Sequence, residues 1–95
     1  MASSVEYKDF ILDQLNLLDN ITSKKMMGEY LLYCDGILFG GIYDNRLLVK
    51  KTTTNEKFKM EEQFPYKGAK PMYFVEDVDS KKILKRIVIE TCKGL

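Results

Sequence analysis

Three carboxylates, Glu76, Asp77 and Asp79, fall in the stretch EDVDS. Such a cluster is raw material for a Mg²⁺ or Ca²⁺ site, because hard cations take oxygen ligands. One turn supplies too few convergent oxygens for that, so the expected reading is a solvated turn with Asp79 capping the helix that follows. The chain has no histidine, which removes the commonest general base and a common metal ligand. Cys34 and Cys92 are its two thiols and form no CxxC. Neither a neighbouring cysteine nor a helix N-terminus is there in the sequence to activate Cys34, and Cys92 reads as an ordinary helix residue. Gly40-Gly41 lacks the turn into a helix and the Lys-Ser/Thr of a phosphate loop. A bulge or close backbone approach is its expected role, with a similar packing role for Gly28. Ser3, Thr53 and Thr54 sit where helix caps are expected. No nucleophile–base pair is visible. The expectation is a non-enzymatic protein with no catalytic residue, bound metal or cofactor.

The basic run KKILKR offers Lys81, Lys82, Lys85 and Arg86 as a candidate patch, which Lys24, Lys25, Lys50 and Lys51 could extend toward phosphates. The charge balance argues against it. Lys and Arg total 15, Asp and Glu 14, for a net charge of +1, whereas nucleic-acid modules carry a clear basic excess. A solvated helix face explains the run, and cations suit a helix C-terminus. Direct nucleic-acid binding is therefore not expected, and a nucleic-acid-associated regulator using this basic helix, or a small-ligand-binding domain, stands as the alternative to a role in protein–protein contact.

These residues need elements to hold them. The 95 residues make one domain, 1–95, with 45% hydrophobic and 31% charged residues, an ordinary globular composition. The sequence MASSVEYKDF is unlike a signal peptide, and no apolar run reaches membrane-spanning length. Together with two unpaired thiols, this gives a cytoplasmic expectation. Ser3 and Glu6 have capping-box spacing. Tyr7, Phe10, Ile11, Leu15 and Leu18 follow at helical spacing, predicting a helix over 4–18. The stretch DNITSKK reads as a loop. Strands are predicted over 26–34, 37–43 and 47–51, with Asp35-Gly36 and the weaker Asp44-Asn45 as hairpin turns. Thr53 to Glu56 repeats the capping-box spacing and predicts a helix over 53–64, stopped by Pro65. A short extended piece, a strand over 72–76 and a helix over 79–92 complete the chain. The fold class is α+β, helices packed on an antiparallel sheet.

Both faces of the predicted hairpin are apolar. One carries Tyr30, Leu32, Cys34, Phe39 and Tyr43; the other carries Met27, Leu31, Tyr33, Leu38 and Ile42. A sheet with one wet face would alternate. Helices can cover one side, and the other then needs a loop, a partner subunit or a ligand; a second copy of the chain through an isologous contact is the expectation, and helices divided between both faces are the alternative. Tyrosine suits interfaces, so Tyr30, Leu32, Phe39 and Tyr43 are the candidate homodimer interface.

The stretch KKMMGEYLLYCDGILFGGIYDNRLLVK resembles the N-terminal domain of the TfoX/Sxy competence regulators. The resemblance rests on Lys25-Met26-Met27-Gly28, Asp35-Gly36 and Arg46-Leu47-Leu48-Val49-Lys50. Downstream, GAKPMYFVEDV (68–78) is similar to a further strand of that family. Met27 stands where the family commonly has Phe, and Glu29 where it has a second Gly. The resemblance implies an α-β(3)-α-β(2)-α two-layer sandwich, like secretion-chaperone domains, and dimerisation. It also implies regulation of competence or transcription through a protein partner. Full-length members carry a second domain after this one, so a stand-alone domain is expected here.

Overall fold

Three tight turns set the sheet. Met27-Gly28, Asp35-Gly36 and Asp44-Asn45 each place both central residues at positive φ, as type I′ hairpins require. They join four consecutive antiparallel strands: β1 (Ile21–Met26), β2 (Glu29–Cys34), β3 (Ile37–Ile42) and β4 (Leu47–Val49). A hairpin of β5 (Glu61–Gln63) and β6 (Met72–Phe74) adds through β6, giving the order β1-β2-β3-β4-β6-β5. Helices α1 (Val5–Gln14) and α2 (Lys81–Lys93) complete this computed structural model, which describes residues 2–95. The α+β class with an antiparallel sheet is as expected. None of the helices is long and apolar enough to cross a membrane among the described residues.

One core holds both helices to one face of the sheet. Ile11 and Leu15 from the α1 end, and Leu84, Ile87 and Val88 from α2, pack with Tyr30, Leu32, Phe39, Ile42, Leu47, Val49 and Val75. The α2 stripe Leu84, Ile87, Val88 and Thr91 is buried because that spacing falls on one side of a helix.

The register of β3 corrects the expected interface. Leu32 pairs with Gly40 but Tyr33 with Leu38, so Phe39 is an extra, bulged residue. The bulge reverses the alternation along β3. Tyr30 and Leu32 therefore share a face with Ile42, while Gly41 and Tyr43 turn to the other side. Tyr30, Leu32 and Phe39 are buried beneath the helices, Phe39 with no exposed surface. They are core residues, and only Tyr43 of the four lies on the open face. The glycine pair is needed here as expected. A Cβ on Gly40 would collide with the Leu48 carbonyl oxygen, and one on Gly41 would lie 2.7 Å from that of Tyr30.

Other boundaries also move. The stretch read as a loop holds most of β1, and the strand expected over 26–34 begins only at Glu29, after the Met27-Gly28 turn. Ser4, not Ser3, caps α1, its Oγ accepting from the Tyr7 N–H at 3.0 Å. Ser80, not Asp79, caps α2 by accepting from Ile83 N–H at 3.3 Å. The middle helix shrinks to a 3₁₀ turn, Glu56–Phe58, ended by Lys59 at φ 52°. Asn55 explains this. Its side chain accepts from Thr52 N–H at 2.9 Å and donates to the Lys50 carbonyl and Thr91 Oγ, both at 2.8 Å. Fully buried, it ties the chain to α2 in a turn incompatible with a helix starting at Thr53.

Candidate interaction face

The helix-free face is built from residues that pair across the strands, since opposed residues share a side. One such row runs Lys24, Leu31, Gly41, Leu48, Phe74 and Glu61. Part of this face is covered by the chain itself. Arg46 donates to Gln63 Oε1 at 2.8 Å and to the Phe64 and Pro65 carbonyls at 3.1 and 3.4 Å. Its Nε donates to the Tyr43 carbonyl at 3.2 Å. These bonds pin the segment after β5 back across the sheet. Pro65 is buried there, and the Tyr66 ring lies 6.3 Å from that of Tyr43. Burial, then Tyr66, Glu29 and Tyr33, raise the Tyr43 phenol above its ordinary pKa.

Two clefts open beside this tyrosine pair. One, of about 560 Å³, is bordered by Met26, Met27, Glu29 and Leu31. The other, of about 600 Å³, lies between Leu38, Lys50 and Met72. Leu31, Tyr33 and Leu38 are half-buried and Met26 is exposed. Met27, at the tip of the first hairpin, is 95% exposed.

Glu29 anchors the cleft next to Met27. Its Oε1 accepts from Ser3 N–H at 2.9 Å and from Ser3 Oγ at 2.5 Å, and its Oε2 from Asp44 N–H at 3.0 Å. Ser3 Oγ in turn accepts from Asn45 N–H at 3.0 Å. One carboxylate thus fastens the N-terminal segment and the third hairpin turn. Sequence reasoning missed both Glu29 and Arg46. The usable signal for the first was a glycine one residue before a strand with a polar residue at its start, the mark of a hairpin. Arg46 carried no signal beyond its place beside a turn.

The remaining sequence candidates scatter. Lys81 reaches Asp13 at 4.0 Å, the Arg86 guanidinium lies 5.8 Å from the Phe58 ring centre, and Lys82 and Lys85 are solvated. Lys24 and Lys25 lie on edge strand β1, whereas Lys51 pairs with Glu62 of the opposite edge strand at 2.9 Å. The structure does not gather these cations into one patch. Glu76, Asp77 and Asp79 are exposed around a turn, and no metal-ligating cluster forms among the described residues. The two thiols, by contrast, come together. Both are free, and burial followed by the neighbouring Cys34 pushes the Cys92 thiol up to about 12.

A helix-backed antiparallel sheet with one partly open apolar face defines a small α+β domain. The chain belongs to the TfoX N-terminal domain family, which matches residues 13–91. It is also similar to a protein of Spirochaeta aurantia described as an uncharacterized 12.7 kDa protein in the trpE 5′ region. The two are 36% identical over 80 residues, covering 82% of this chain and 70% of that protein.

Proposed function

We propose that this is a non-enzymatic domain that acts through protein–protein contact, forming a homodimer through its helix-free face around the first hairpin. Met27 carries the reading. It is a bulky residue at φ 53°, and it is 95% exposed. The left-handed conformation costs an ordinary L-residue about 1–2 kcal/mol, and folding of the monomer returns nothing for that side chain. Met26 and Leu31, which border the same cleft, add further apolar surface, each worth about 1.5–3 kcal/mol when buried. A contact there recovers what the single chain leaves in water. Family membership supports a regulatory role, in competence or transcription, in the cytoplasm.

The test is Met27→Asn. Asparagine fits a type I′ turn better than methionine, so the fold should hold or gain stability while the contact is lost. Light scattering on wild type should give a dimer, and on the variant a monomer with unchanged circular dichroism. Leu31→Asp should do the same. A wild-type monomer at high concentration defeats the proposal.

A further inference from the structure

We propose that the cleft between β3–β4 and the segment 65–72 binds a small organic anion with a flat apolar body, of the aromatic carboxylate or sulfonate class. The cleft holds about 600 Å³, within the range of small-molecule sites. Its walls are apolar: Leu38 and Met72 on the sheet side, Tyr43 and Tyr66 at one end. The ionisable side chains other than tyrosine that line it are lysines: Lys50, Lys51 and Lys70. Lys51 is engaged by Glu62. Lys50 and Lys70 have no carboxylate within 4.0 Å among the described residues. Unneutralised cations on the rim of an apolar cleft favour a ligand with one anionic end and a hydrophobic remainder.

The wall is held in place rather than fortuitous. Arg46 fixes the 64–65 carbonyls over the sheet, and Pro65 and Pro71 restrict the backbone at each end. A preformed cleft loses less entropy on binding than a loop that must first order. This inference stands apart from the subunit contact, which centres on Met27 across the tyrosine pair.

The probe is 8-anilinonaphthalene-1-sulfonate, compared with uncharged N-phenyl-1-naphthylamine, which shares its aromatic body. Fluorescence titration of the full chain should show one saturable site. The sulfonate should bind at least about tenfold more tightly than the neutral compound, and more weakly as salt rises. Lys50→Glu with Lys70→Glu should weaken the sulfonate about tenfold or more and leave the neutral compound within about twofold. Amide shifts should move at Leu38, Tyr66 and Met72. If the double variant fails to fold, Lys50→Gln with Lys70→Gln carries the same comparison. Absence of saturation, equal affinity for both probes, indifference to the lysines, or shifts centred on Met26 and Leu31 would each overturn the proposal. Light scattering of the unliganded chain reports separately on the dimer.

Discussion

The carboxylate of Glu29 receives two hydrogen bonds from one residue, Ser3, through its backbone N–H at 2.9 Å and its hydroxyl at 2.5 Å. Hydrogen bonds to an ionised acceptor are stronger than neutral ones, at about 1.5–3 kcal/mol each. Glu29→Gly, which installs the family's common residue, should therefore lower stability by about 1.5–3 kcal/mol and free the N-terminal segment. Urea unfolding measures the first effect, and amide exchange at Ser3 the second. A variant as stable as wild type, with Ser3 still protected, would show the clasp to be idle.

Phe39 and Leu31 should respond unequally, because Phe39 packs in the core beneath the helices and Leu31 lies on the opposite face of the sheet. Phe39→Ala opens a cavity in the helix-side core and should cost about 3–5 kcal/mol. Leu31→Ala, at a half-buried position, should cost the monomer less than half of that. Chemical denaturation at a concentration where the chain is monomeric gives both values. The reverse order would mean that the helices cover the other face.

Asn55 should be among the least replaceable polar residues. Asn55→Ala leaves the Thr52 N–H and the Lys50 carbonyl without partners and should cost about 2–3 kcal/mol. Asn55→Asp keeps the acceptor but, once ionised, cannot donate to Lys50 or Thr91. Its deficit should therefore widen as pH rises through the carboxylate range. Parallel unfolding curves for the two variants at acid and neutral pH read this difference.

The Cys92 thiol, raised from 9.0 to about 12, ties stability to alkaline pH. A raised folded-state pKa favours the native chain fully below pH 9 and progressively less as pH climbs toward 12, where the unfolded thiol has already ionised. Cys92→Ala should flatten that alkaline decline. The same shift keeps the nucleophilic thiolate scarce at pH 8. Iodoacetamide should then label Cys92 slowly in the folded chain and rapidly in urea, as read by peptide mass. Equal rates in both states would contradict the shift.

The sequence made the sheet and its helices legible wherever a local signal was strong. Asp35-Gly36 announced its turn, and the α2 stripe announced its buried side. Met27-Gly28 hid because methionine is a poor type I′ residue. Missing that turn ran the first strand back through Met27-Gly28 and cast ITSKK as a loop. The middle helix failed for a different reason: Asn55 is satisfied by Lys50 and Thr91, and a partner 36 residues away leaves no mark on local spacing. The candidate interface failed because the helices cover the face that carries Tyr30, Leu32 and Phe39, a choice of side that the strand pattern does not encode, and the bulge at Phe39 moved Tyr43 alone to the open face. The glycine pair next to it hinted at a bulge but did not say on which side of the pair the extra residue lay. The apolar character of both faces, by contrast, was plain in the sequence.

The three two-residue turns have a kinetic consequence. Within the meander, each of the strands β1 to β4 pairs with the next one in the chain, so each hairpin closes a short loop at small entropic cost. Helix α1 comes from one end of the chain and α2 from the other, and both must dock on a surface that the hairpins create. The four-strand meander is thus expected to assemble first and to present the core face as a template. The helices and the β5–β6 hairpin then join late. On this order, mutations at Asp35-Gly36 slow folding, whereas mutations on the inner stripe of α2 chiefly speed unfolding.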